Sequence, residues 1–353
     1  MRLNPVIKEL SPFSYCGTGY KTRLDANESC VPIPEYIKKE ISDYIINTLD
    51  LNRYPDDLTV ELRKAYGKAF DVDAECVVPG NGSDELINMI VGRLVPHGGV
   101  VLGIQRDFGS YWSNAAIFER KAVKLPRLED MTFTADMLIE GAKEHNADLV
   151  IFSNPNNPSG SQIMRQDVIR IIESLDCLVV VDEAYMDFSD QSVLDLAGKY
   201  ENLIVLRTLS KAMGAAGARM GFAVSTPEIT YAMRSVRDAY NVSSLDQAVA
   251  TILLNHPEYR EAAMAEIKSM MEILKDRLNK IAAKSNGRMK VYPSVVNFVL
   301  LWLEDARFVS DELHKKDISL RLLDDHLLRI SVADEKTLKF VLDEFEAIVL
   351  NQR

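Results

Sequence analysis

The chain is poor in the residues that staple or metallate a fold. Its 353 residues include only four cysteines and five histidines. Cys16, Cys30, Cys76 and Cys177 are widely spaced and form no Cys-x-x-Cys pair. That argues against a disulfide framework and a structural zinc site, and points to a reducing cytoplasm. No stretch approaches the ~20 continuous apolar residues of a membrane helix, so no membrane is expected. The opening "MRLNPVIKELSPF" lacks the apolar core of a secretory signal. Positive charge is also short: 41 Lys and Arg face 52 Asp and Glu, a formal net charge of −11. This balance disfavours a nucleic-acid partner, although a local arginine cluster can still hold a small anion. Repeats, low-complexity tracts and long linkers are also missing.

What is present is a large apolar fraction, 47%, enough for one large domain and a smaller one. "VVLGI" (100–104), "DLVIF" (148–152), "LVVV" (178–181) and "LIVL" (203–206) are continuous apolar runs. Unbroken runs suit parallel strands covered on both faces. Between them Val168, Ile171, Ile172 and Leu175 recur at helical spacing, as do Leu86, Ile87, Ile90, Val91 and Leu94. The β-α alternation predicts an α/β fold, a three-layer sandwich around a mostly parallel sheet. Past residue 240 the texture changes. A long helix carries Ile267, Met271, Leu274, Leu278 and Ile281 on one face. Strands follow at 295–303, 318–323 and 327–332, and a last helix starts at Glu335. We therefore expect an N-terminal arm (1–34), a large domain (35–240) and a smaller α+β domain (241–353).

In open parallel sheets, ligands bind beyond the carboxyl ends of the strands. "DLVIF" is followed by "SNPNNPSG", a stiff turn that would project Asn157, or a plain connection. "LVVV" is followed by Asp182, Glu183, Ala184 and Tyr185. A carboxylate ending a buried strand needs a partner: a cation, a protonated cofactor nitrogen or, in the structural alternative, a helix start. "LIVL" leads into "RTLSKAMGAAGARMG", where Thr208, Ser210 and Arg219 suit a phosphate and the small residues admit close backbone approach. Upstream, "PGNGSDELI" sets Gly82 and Ser83 at a helix start, an anion site or simply a capped helix with Ser83 as cap. Asp84 and Glu85 already serve that positive end. One lysine, Lys211, stands among these elements. A lysine, an aspartate, an asparagine, a tyrosine and two phosphate cradles at one sheet edge are what pyridoxal 5′-phosphate requires.

The motifs "LDANES" (24–29), "NRYPD" (52–56), "GNGSDELI" (80–87), "SNPNNPSG", "VVDEAYMDF", "RTLSKAMGAAGARMGF" and "LLRISV" run in order along the chain. In this it resembles the fold-type I aminotransferases that use pyridoxal 5′-phosphate, and among them the histidinol-phosphate aminotransferase group. The resemblance implies that Lys211 carries the cofactor covalently and shuttles the proton, and that Asp182 pairs with the ring nitrogen. It implies that Asn157 and Tyr185 bond the ring oxygen and that Phe108 stacks on the ring. Gly82, Ser83, Asp84, Thr208, Ser210 and Arg219 would form the phosphate site. Tyr54 would reach the phosphate of a neighbouring subunit in a homodimer. Arg329 and Arg321, with Asn27, would bind the substrate; Arg321 has the alternative of an ordinary sheet-edge arginine.

The departures fall on the expected substrate side. "QRDFGSYW" (105–112) puts Arg106 and Asp107 where the group usually has Pro-Thr. "ANESC" replaces "ANENP", Phe13 replaces a tyrosine, and only "DDH" separates "SLRLL" from "LLRISV". The expected activity is amino transfer between an amino acid such as glutamate and a phosphorylated amino alcohol or oxo compound. The alternative is decarboxylation of an O-phosphoamino acid. A ligand-sensing domain without catalysis would need a DNA-binding segment, which the sequence does not show.

Overall fold

In the computed structural model, which describes Val6 and residues 19–351, the apolar runs are the middle of a seven-stranded sheet. The strands of the chain are β1 (Thr22–Leu24), β2 (Val77–Asn81), β3 (Val100–Ile104), β4 (Lys121–Leu125), β5 (Leu149–Ser153), β6 (Leu178–Asp182), β7 (Leu203–Thr208), β8 (Met220–Val224), β9 (Met289–Val291), β10 (Phe298–Leu303), β11 (Ile318–Leu322) and β12 (Leu327–Ser331). The large sheet has the order β2-β8-β7-β6-β5-β3-β4, parallel except that β8 runs against both neighbours. Alternate residues of its central strands enter two different cores. Val150, Phe152, Val179, Val181, Leu203 and Val205 face one; Leu149, Ile151, Val180, Ile204 and Leu206 face the other. Both faces being covered explains why these strands read as unbroken apolar runs.

Register levels the strand ends. Ser153 pairs with Asp182, and Asp182 with Leu206. The residues that follow β5, β6 and β7 therefore emerge side by side.

The second sheet, of five strands, has the order β1-β11-β12-β10-β9. Its core takes Ile267, Met271, Leu274, Leu278 and Ile281 from the helix Pro257–Lys284, as their spacing required, and Leu338, Val341, Leu342 and Phe345 from the helix Glu335–Leu350. Elements pack across the expected boundaries at both ends. Residues 22–24, expected in an arm, pair in parallel with β11 and belong to the small sheet. Residues past 241 first pack on the large core: Ala250 and Leu253, and then Tyr259 and Ala263 of the long helix, join it, while from Met264 onward that helix also packs on the small core. One rigid helix thus serves both cores, and its sequence carries no break to mark the change. Phe13 and Cys16 lie outside the described residues.

Candidate active site

The lysine of the opening stretch sits just past β7. Its Nζ donates to the carbonyl of Ala26 at 3.1 Å and lies 5.7 Å above the Tyr185 ring. Among the described residues no carboxylate pairs with it. One strand over, Asp182 ends β6, only 3% exposed. Its Oδ2 accepts from the Tyr111 hydroxyl at 2.7 Å and its Oδ1 from the Ala184 amide at 3.0 Å. Burial pushes its pKa up to about 6, against the lowering effect of those two donors, with Asp107 and Asp84 adding to the rise. A buried carboxyl held by neutral donors is short of a cation, and a protonated ring nitrogen would be one.

Two other groups have their acceptors engaged, which leaves their donors for a ligand. Tyr185 Oη accepts from Asn27 Nδ2 at 2.8 Å, so its own proton is available. Asn157 Oδ1 accepts from Arg329 at 2.5 Å, which leaves the Nδ2 hydrogens. Asn27 is fixed in turn. Its backbone is left-handed (φ 55°), its amide donates to Ser331 Oγ at 3.0 Å, and Asn297 donates to its carbonyl at 3.1 Å.

The anion cradle is shaped by what is missing at two glycines. Gly82 has φ 78°, and a Cβ there would come within 2.6 Å of Arg219 Nη2; at Gly221 a Cβ would meet Ser83 N at 2.4 Å. Both positions therefore require glycine. Arg219 leans on Asp84 at 3.5 Å, which orients the guanidinium over the turn. Ser210 N donates to Thr208 Oγ1 at 3.1 Å, and the two hydroxyl oxygens lie 2.9 Å apart. The helix starts two residues earlier than expected. It spans Gly82–Met89 with Asn81 as cap, so Ser83 lies in the first turn. Glu85 bends back to accept from the Asn81 amide and from Asn241. Both carboxylates that stood against an anion here are thus engaged, Asp84 with Arg219 and Glu85 with the cap amide.

Arg329 is buried, and its Nη2 donates to the Asp25 carbonyl at 2.6 Å. Arg321 stands directly opposite it across β11 and β12. Because β11 lies between β1 and β12 in the sheet, Arg321 is not on an edge strand. Like charges directly opposite each other in a sheet are destabilising, and an anion between them relieves this. Phe108 follows the loop after β3 and meets Tyr111 edge-on at 5.7 Å. Tyr54 stands apart: it is 80% exposed and stacks on Tyr240 at 4.5 Å, in a loop tied by Asp57 to Arg237 at 2.8 Å.

Sequence reasoning missed Tyr111, whose place in "GSYW" gave no hint of the partner it finds on β6. It also missed the buried Arg207, which bonds Glu183 at 3.0 Å and Asp187 at 2.9 Å and braces the Asp182–Tyr185 segment from behind. Burial alone would lower the Arg207 pKa, but the two carboxylates more than reverse this and raise it.

Strand ends that present one lysine, one buried acid and a glycine-floored anion cradle define the class: a lysine-centred enzyme on an open α/β sheet. Comparison places it further. The profile of the family described as aminotransferase class I and II matches residues 20–342. Histidinol-phosphate aminotransferase of Clostridium novyi is 36% identical over 92% of this chain and 89% of its own length. That of Ruminiclostridium cellulolyticum is 34% identical over 98% of each. Among solved structures, histidinol-phosphate aminotransferase of Sinorhizobium meliloti, in complex with pyridoxal 5′-phosphate, matches with TM-score 0.88 and 26% identity, covering 99% of this chain and 97% of that one. The chain belongs to the class I and II aminotransferases.

Proposed function

We propose that this aminotransferase uses pyridoxal 5′-phosphate to move an amino group between a phosphorylated amino alcohol of the histidinol phosphate type and an amino acid such as glutamate. The observation that carries it is the pair of a lysine that, among the described residues, has no carboxylate partner and, one strand away, a buried acid that among them has no cation. The donor set fits the cofactor. Asp182 would hold a proton on the ring nitrogen, Tyr185 and Asn157 would donate to the ring oxygen, and Phe108 would cover one ring face. Gly82, Ser83, Thr208, Ser210 and Arg219 would hold the phosphate. When bound, the cofactor supplies an electron sink for the bond broken at the substrate carbon.

The chain's own groups do the rest. Lys211 Nζ takes the proton from the reacting carbon and returns it. Arg329, fixed by Asn157 and the Asp25 carbonyl, and Arg321 opposite it close on the substrate's anionic group. Asn27, held by Ser331 and Asn297, keeps Tyr185 oriented.

A homodimer in the cytoplasm is the setting we propose, with Tyr54 completing the partner's phosphate site. Its exposure on a loop pinned by Arg237 supports this reading. None of the described helices is long and apolar enough to cross a membrane. The names of the relatives favour transamination over decarboxylation.

The test is a half-reaction. Borohydride should fix the cofactor on Lys211 alone, as peptide mapping would show. Histidinol phosphate should discharge the visible band stoichiometrically. Labelling of another lysine, or carbon dioxide release from O-phosphothreonine in place of amino transfer, would sink the proposal.

A further inference from the structure

We infer that Asp107 is a positioning residue. Its carboxylate sets the direction of a hydrogen-bond chain that joins the ring-stacking Phe108 to the ring-oxygen donor Asn157. This rests on the cofactor reading above and adds a residue which that reading does not use. Asp107 follows β3 and is 7% exposed. Its Oδ1 accepts from the Phe108 amide at 2.7 Å and from Ser153 Oγ, and its Oδ2 accepts from the Ser153 amide at 3.1 Å. Among the described residues it makes no ion pair. Burial raises its pKa above the ordinary carboxylate value, and Arg127, near enough to favour its charge, does not reverse this; that guanidinium donates to the carbonyls of Gln105 and Met131 and to Asn156 Oδ1. Burying a carboxylate without an ion pair is costly, and stability alone gives no reason for it.

The chemistry of the acceptor supplies the reason. An ionised carboxylate can only accept. The single Ser153 hydroxyl proton must therefore point at Asp107, and the lone pairs of Ser153 must accept from elsewhere. They accept from Asn156 Nδ2 at 2.9 Å and from the Asn157 amide at 3.2 Å. This fixes the Asn156 amide the other way round, with Oδ1 toward Arg127 at 2.9 Å, Ser159 N at 3.2 Å and Ser159 Oγ at 2.9 Å. The turn after β5 is left with one satisfied arrangement, and Asn157 hangs from it. A neutral residue at 107 would let the Ser153 proton turn away and loosen both ends of the chain, Phe108 and Asn157.

Asp107→Asn keeps the size but sets an amide donor against the Ser153 amide. Apo-protein of this variant, of Ser153→Ala, of the double variant and of the unaltered chain would be titrated with pyridoxal 5′-phosphate. Visible absorbance, circular dichroism of the visible band and melting temperature would be followed. We expect affinity to fall about tenfold in each single variant and the visible dichroism per bound cofactor to fall by about half. We expect the double variant to be no worse than the worse single one, because both act through one chain. Affinity within twofold of the unaltered chain with unchanged dichroism, even with a lowered melting temperature, would make Asp107 merely structural and overturn the inference. So would additive losses. Should Asp107→Asn fail to fold, Ser153→Ala decides by the same readings. An unaltered chain that shows no visible band on titration would overturn the cofactor reading itself, and this inference with it.

Discussion

Asp182 carries the clearest residue-scale consequence. Its carboxyl is raised to about 6, chiefly by burial, above the ordinary carboxylate value of 3.8. A raised acid favours the protonated native state, so its contribution to stability is full below the unfolded value and is lost as pH rises through the folded one. The apo-protein should therefore lose about 3 kcal/mol of this contribution between pH 4 and pH 6, at 1.36 kcal/mol per unit. Denaturant melts of apo Asp182→Asn should show a flatter profile over that window than the unaltered chain. Identical profiles would remove the assignment. Adding cofactor should restore stability at neutral pH, because the ring nitrogen brings the missing positive charge. Lys211→Ala should still bind the cofactor but lose turnover by on the order of 10³-fold or more; steady-state kinetics beside a binding titration check both halves. The central residue types at this site were legible because Phe108, Asn157, Asp182, Tyr185 and Lys211 each end a strand or follow one within four positions. Their wiring was not. Nothing in the sequence shows that Asn157 accepts from Arg329 or that Tyr111 reaches Asp182, since both contacts join segments over seventy positions apart.

At the scale of elements, the strands that sequence reading caught are the central ones, and those it missed have physical reasons to hide. The strand β2 contains Pro79 and Gly80, and β4 alternates with exposed Lys121, Ala122 and Lys124 at the sheet edge. The strand β8 begins straight after the glycine-rich cradle and reads as its tail. Two of the departures noted on the substrate side prove to be one structure. Arg106, left-handed at φ 58°, forms an ion pair with Asp324 of the short "DDH" hairpin. Asp324 also accepts from the His326 and Leu327 amides at 2.9 and 2.8 Å. The pair ties the loop of Phe108 to the hairpin that follows Arg321. Arg106→Asp alone, or Asp324→Arg alone, should raise KM several-fold with kcat little changed, and the exchanged pair should recover much of the loss. Kinetics on the double-mutant cycle check this, and simple additivity would rule the latch out. The long helix allows a plainer expectation: Leu274 is fully buried in the small core, so Leu274→Ala should cost about 2–5 kcal/mol in a denaturant melt.

At the scale of the whole molecule, direct contacts link several of the expected site residues, Asn27 to Tyr185, Asn157 to Arg329 and Arg219 to Asp84, while Tyr54 stands on an exposed loop. Within eighteen residues of it along the chain stand other large exposed apolar side chains: Tyr36, Tyr44, Ile46, Leu51 and Leu58. Exposed apolar side chains of this kind are what an interface covers, and in the homodimer proposed above a twofold axis would bring each Tyr54 to the other's cradle. Complementation tests that arrangement without a structure of the dimer. A chain with Lys211→Ala keeps its Tyr54, and a chain with Tyr54→Ala keeps its lysine. Each alone should be nearly inactive, the first through chemistry and the second through weak cofactor binding. Unfolded together and refolded at equal amounts, half of the dimers should be mixed. Each mixed dimer joins one intact lysine to one intact Tyr54 and so contains a single complete site, about a quarter of the unaltered activity overall by symmetry. If Tyr54 acted within its own chain, mixing would restore nothing, because no chain would hold both residues. Activity that stays at the sum of the two inactive preparations would refute the shared site.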